Sequence, residues 1–200
     1  MRKDCLSSVV LLLTAVTGCT SGVPKELAAS PDRNQVIQRM HRRFSAECFN
    51  NCWTLIDKTN RTPQDVEDMI LCASASMWHW KQRGDCKPLN MSIGYGQLSR
   101  VYALAGHYDI AKRFGQKCLT AAMNGNTPAF YIGYGYEALT RAEIGLKNFP
   151  AAAYNLENAQ SQLSQVRDAE EKQWLKADLD SLKKMLPKET VPPSGDPQDR

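Results

Sequence analysis

The chain predicts an all-α protein of about seven helices arranged as antiparallel hairpins. Three observations carry that expectation. Between residues 33 and 186 the apolar residues recur at three- and four-residue spacing, the period of one helix face, and almost nothing alternates as a strand would. Helix start and stop signals punctuate the same region at short intervals, at Thr62-Pro63, Gly84, Gly106, Gly125 and Thr127-Pro128. One segment also repeats. Leu98-Ser-Arg-Val-Tyr-Ala-Leu-Ala-Gly-His-Tyr-Asp-Ile-Ala111 lies on Leu139-Thr-Arg-Ala-Glu-Ile-Gly-Leu-Lys-Asn-Phe-Pro-Ala-Ala152 at an offset of 41 residues.

The first expected helix spans 35–57, with Val36, Ile37, Met40, Phe44, Cys48, Cys52, Leu55 and Ile56 on one stripe. Thr62 is an N-cap residue, Pro63 suits the first helical position, and Asp65 and Glu67 suit the positive end of the helix dipole. That second helix runs to about 82 and stops at Gly84. Further helices are expected over 92–105, 109–123, from 127 to about 146, over 149–166 and over 168–186. Residues 20–32 are small and polar and read as a tether; 187–200, with four prolines, read as a disordered tail.

Within the repeat, Leu98, Tyr102, Gly106, Tyr108 and Ala111 fall at the spacing of a tetratricopeptide repeat, which this segment resembles. The second copy departs from the pattern, with Lys147 where glycine is expected and Glu143 where an aromatic is expected. Ahead of each copy, Ile93-Gly-Tyr-Gly96 matches Ile132-Gly-Tyr-Gly135 with a two-residue slip. The resemblance covers about residues 90–165. It implies a short solenoid of three hairpins and a capping helix, in which each hairpin needs its neighbour to bury a face. Trp78-His79-Trp80 followed by Gln97-Leu-Ser-Arg-Val-Tyr-Ala103 is also similar to a group of bacterial helical-repeat proteins that brings no activity with it.

The N-terminus carries a different signal. Arg2 and Lys3 precede an apolar run over 6–16, the layout of a secretory signal peptide. Val16-Thr17-Gly18-Cys19 comes next and resembles the lipobox of bacterial lipoproteins. The resemblance implies removal of residues 1–18, diacylglycerol on the Cys19 thiol and acylation of the new amino terminus. Thr20, not Asp, stands after the cysteine, which in a Gram-negative envelope implies the outer membrane, facing the periplasm. A membrane partner through lipid on Cys19 and a cell-envelope location are therefore expected. Several acyl chains anchor firmly, since each buried CH₂ contributes ~0.8 kcal/mol.

Charge excludes one class. Twenty-five basic residues against 21 acidic ones leave +4, with no basic run, which argues against nucleic acid as a partner. No phosphate loop, His-Glu-x-x-His or Gly-x-Ser-x-Gly string occurs, so no catalytic residue is assigned and a non-enzymatic role is favoured. No cofactor is expected. The Gly-Tyr-Gly strings lack a third glycine and a preceding strand, and are read as close helix contacts. Of the seven cysteines, Cys48, Cys52, Cys72, Cys86 and Cys118 remain in the domain. Cys48 and Cys52 share a helix face and could bind a metal with His41 or Cys72, but core packing or a disulfide fits that face better, and no metal is assigned.

Two candidate sites remain. Arg100 and Arg141 occupy equivalent repeat positions, with Tyr134 and Glu137 on the same side and Arg39 or Arg43 able to join from the first hairpin. In tetratricopeptide-like stacks this side lines the concave surface. The arginines either recognise a carboxylate or other anion of a protein or peptide partner, or pair with Glu and Asp on a solvated face. The alternative is a small-ligand or enzymatic pocket around His79, Trp80, Arg100 and Tyr134, in which His79 is the acid-base candidate and one of Trp78 and Trp80 is core.

Overall fold

The chain is seen in a computed structural model that describes residues 31–187. The expected signal peptide, Cys19, residues 20–30 of the tether and the tail from 188 lie outside the described residues. Those described form seven helices and no strand: α1 (Pro31–Ile56), α2 (Pro63–Lys81), α3 (Pro88–Leu104), α4 (Tyr108–Asn124), α5 (Ala129–Gly145), α6 (Phe149–Gln165) and α7 (Ala169–Met185). Contacts divide the chain between Ile37 and Gln38. Of the first unit, the described part is the opening of α1, and Pro31 and Asp32, expected in the tether, already belong to it. The second unit holds the rest of α1 and the six helices after it.

Local signals set the helix starts. Thr62 Oγ1 accepts from the Asp65 amide at 3.1 Å while the Asp65 carboxylate accepts from the Thr62 amide at 2.9 Å, a reciprocal capping box with Pro63 behind it. Asp65 also accepts from Lys58, and these bonds lower its pKa to about 2. Helix α3 starts at Pro88, four residues ahead of expectation. Pro88 needs no amide partner, and the Lys87 amide is satisfied by Asn90 Oδ1 at 2.9 Å.

Hydrogen bonds between helices fix the register. Ser76 Oγ donates to the Ser45 carbonyl at 2.8 Å and Cys52 Sγ to that of Met69 at 3.6 Å, so α1 and α2 are antiparallel. Ser92 Oγ to the Cys118 carbonyl (3.1 Å) and Ser99 Oγ to that of Ala111 (2.8 Å) do the same for α3 and α4. Successive odd-numbered helices run parallel: Gln97 of α3 meets Phe49 of α1, Arg100 meets Glu137 of α5, and Gly133 and Tyr134 of α5 meet Leu175 and Asp178 of α7. One core joins α1, α2 and α3 through Cys52, Met69, Ala73, Met77, Leu98 and Val101; another joins α6 and α7 through Leu156, Ala159, Val166, Leu175 and Leu179.

The repeat is geometric as well as textual. After α3, Gly106 has φ +80° and the His107 amide reaches back to the Tyr102 carbonyl at 2.9 Å; after α5, Lys147 has φ +60° and the Asn148 amide reaches the Glu143 carbonyl at 2.9 Å. Both are Schellman caps, related by the 41-residue offset bond for bond. The lysine that breaks the tetratricopeptide pattern thus holds the same left-handed position as the glycine. Glu143 is also explained. It is buried, pairs with Lys112 of α4 at 2.8 Å and accepts from Asn148 at 3.0 Å.

The two-residue slip between the Gly-Tyr-Gly strings is corrected. A Cβ on Gly94 would sit 2.6 Å from Met77 Sδ on α2, and one on Gly135 would sit 2.8 Å from Leu119 Cα on α4. Each glycine lets an odd helix approach the second helix of the preceding hairpin. Gly94 and Gly135 are therefore the matched pair, at the same offset as the rest. They are close helix contacts, as the sequence suggested.

Candidate functional site

The side chains that recur along the odd helices converge on a ladder of charges. The buried Glu137, whose side chain is only 3% exposed, accepts from both arginines: Arg100 Nη2 at 3.1 Å, Arg141 Nε at 3.1 Å, and Arg141 Nη2 as well. Asp178 of α7 accepts from Arg100 Nη2 at 3.0 Å and from the Tyr134 hydroxyl at 3.2 Å, and lies 3.9 Å from Arg141. The Arg100 guanidinium stands 5.9 Å from the centre of the Trp53 ring of α1. Four helices thus contribute to one network in which two cations balance two anions.

The electrostatics reflect that balance. Burial alone would lower the Arg100 pKa, but the Glu137 and Asp178 carboxylates more than offset it and keep the guanidinium charged. Burial, then Asp178 and Glu137, push the Tyr134 phenol well above its usual range, so it remains a donor. Asp178 is the most open carboxylate here, its side chain 31% exposed.

All four residues expected on this face, Arg100, Arg141, Tyr134 and Glu137, are in the network. Arg39 and Arg43 are not: Arg43 pairs with Glu47 at 2.6 Å on an exposed face, and Trp53 supplies the contact from α1. Trp53 and Asp178 were missed. Asp178 stands 78 residues from its Arg100 partner, and nothing local marks it.

His79 and Trp80 belong elsewhere. His79 Nδ1 lies 2.9 Å from His41 Nδ1, its ring packed by Phe44 and Trp78. Trp80 is covered by the Arg83 guanidinium, 3.8 Å from the ring centre. Neither Trp78 nor Trp80 is a buried core residue, contrary to expectation; Trp78 is 55% exposed. With Met77 set against Gly94, His79 is level with the start of α3, and Arg100 is about eight residues or ~12 Å further along. The proposed common pocket of His79, Trp80, Arg100 and Tyr134 is therefore not assembled.

The five described cysteines are free thiols. Cys52 and Cys118 are buried, and burial first of all raises their pKa values, to about 12 and about 11. Among the described residues no group of three His, Cys, Asp or Glu side chains is placed to hold a metal ion. An open groove of about 540 Å³ lies between the start of α3 and the end of α4, lined by Cys86, Pro88, Met91, Tyr95 and Lys117 among others. It contains none of the sequence-derived site residues.

No protein-family model, curated protein or solved structure matches this chain. The ladder itself is the feature that bears on function. It pairs guanidiniums with carboxylates, and Asp178, its side chain 31% exposed, is the more open of the two carboxylates.

Proposed function

We propose that the chain is a lipid-anchored protein of the cell envelope whose tetratricopeptide-like domain holds a protein or peptide partner without catalysing a reaction. The observation that supports this reading is the ladder. Arg100, Tyr134, Arg141 and Asp178 lie on three parallel helices, the two arginines at equivalent repeat positions, where an extended chain could run across α3, α5 and α7. A carboxylate of the partner would take Asp178's place on the guanidinium forks, which suit bidentate pairing. Anchorage through Cys19 would hold the domain beside the outer membrane. A small-ligand or enzymatic pocket has less support, because its four residues divide between two places.

The arginines are poor sites for the test, since removing one partner of a buried ion pair costs ~3–5 kcal/mol in folding alone. The open end of the ladder is better. Crosslinking and affinity capture from the native envelope should recover a partner with the unaltered chain. Asp178→Asn removes the carboxylate that competes with the partner's, so it should strengthen that capture at least severalfold while the helical circular dichroism stays unchanged. Weakened or unchanged capture by the variant would count against this reading.

A further inference from the structure

A second surface lies at the open end of the first hairpin. Helix α1 turns Gln38, His41, Ser45 and Cys52 toward α2, where they meet Gln82, His79, Ser76 and Met69. At 100° per residue, Arg39, Met40 and Arg43 then point away from α2. They are exposed, Met40 by 41%, and Trp78 beside His41 is 55% exposed.

The charge here is one-sided. Over 38–48 and 78–87, Arg39, Arg42, Arg43, Lys81, Arg83 and Lys87 stand against Glu47 and Asp85. That excess of four equals the net charge of the whole chain, +4. Asp85 alone serves both Arg42 and Arg83. Arg42 with Asp85 and Arg43 with Glu47 are solvent-exposed pairs, and such pairs contribute ~0–1 kcal/mol, so these two guanidiniums can turn to a stronger anion, whereas Arg83 is largely covered.

We propose that this end of the hairpin docks on an anionic phospholipid bilayer, with Met40 and Trp78 entering the interface and the basic side chains against lipid phosphates. Three observations select that occupant. An exposed indole and an exposed methionine at the one end of a hairpin that also carries an excess of basic side chains make a composition that partitions to a membrane interface. In sequence, α1 is the first described helix after Cys19, and the lipid-anchor reading puts a membrane on that side of the chain. A second copy would bring like charge onto like charge across a two-fold interface. The orientation rests on the lipid-anchor reading; the test does not.

The test uses the chain from residue 20 onward, which holds every described residue and no lipid site. Co-sedimentation compares vesicles of phosphatidylcholine alone with vesicles containing phosphatidylglycerol. Binding to the anionic vesicles is expected to be at least about tenfold stronger, to weaken as salt rises, and to blue-shift tryptophan emission. Arg39→Glu with Arg43→Glu should lower it at least tenfold, and Trp78→Ala should lower it and remove most of the blue shift. Trp174→Ala, an exposed tryptophan on α7, is the control and should change neither. Equal affinity for both vesicles, or no effect of the charge reversal, would overturn the proposal. So would a dimer in solution that Trp78→Ala dissociates. Fatty-acid labelling of the full chain against Cys19→Ala tests the anchor separately. Labelling without vesicle binding sinks the docking surface alone, and vesicle binding without labelling sinks the anchor alone.

Discussion

Two imidazole nitrogens 2.9 Å apart can share one proton, not two. His41 and His79 therefore bond only while at least one is neutral at Nδ1. Burial first, and then the His41 charge, lower the His79 pKa below its usual value. That direction sets the sign of the pH effect. With the folded pKa below the unfolded one, ~6.5, the unfolded chain binds more protons between the two. The pair's contribution to stability is complete above the unfolded pKa and is lost as pH falls through the folded value. The thermal midpoint should thus drop between pH 7.5 and 5, and His79→Leu should flatten that part of the profile. A profile as steep in the variant as in the parent would place the effect elsewhere. At this scale the sequence is legible where chemistry is local. Thr62, Pro63 and Asp65 announce their capping box within four positions. Helical period puts Glu137 and Tyr134 on the correct side, but their partner Asp178 comes from a helix far along the chain, where the apolar pattern marks only Leu175, Leu179 and Leu182.

The helix caps test the repeat element by element. Gly106 and Lys147 hold equivalent left-handed positions, yet only glycine adopts them without steric cost. A non-glycine residue there costs ~1–2 kcal/mol, partly offset because glycine loses more entropy on folding. Lys147→Gly should therefore stabilise the fold by roughly 0.5–1 kcal/mol, raising the thermal midpoint by ~1–3 °C. Gly106→Ala should do the reverse, costing ~1–2 kcal/mol. Opposite signs in urea unfolding check the equivalence, and destabilisation by both would refute it. Leu98 and Leu139, both buried, make this element visible in the sequence, but two of its features mislead. Lys147 looks like a departure, because a left-handed backbone is announced in sequence only by glycine. Gly94 looks like the match of Gly133, because the strings are alike. The contacts that decide the match, Met77 on Gly94 and Leu119 on Gly135, come from the preceding hairpin.

Across the whole molecule, stability should behave as a sum of hairpins and the faces between them. Helix α7 has no hairpin partner of its own and closes the far end: Leu175 packs on Gly133 of α5, Leu179 joins the α6 core, and Leu182 meets Ile144 and Ala152. It also supplies Asp178, without which Arg100 and Arg141 share only Glu137. A chain ending at Arg167 loses three fully buried leucines, each worth ~1.5–3 kcal/mol, and gains an unbalanced cation near a buried carboxylate. That loss is comparable to the total stability of a domain, ~5–15 kcal/mol. Yet the core of α1, α2 and α3, with Cys52, Met69 and Leu98, contains no α7 side chain, and the Arg100–Asp178 pair is its link to that helix. Truncation should therefore split unfolding in two. The α5–α6 hairpin should melt at low urea, and the first hairpin with α3 should hold to a midpoint near that of the full chain, both tracked by circular dichroism at 222 nm and by Trp53 emission. One undivided transition at a lower midpoint would mean that the ladder couples all layers into a single unit, and the nearest-neighbour description would fail.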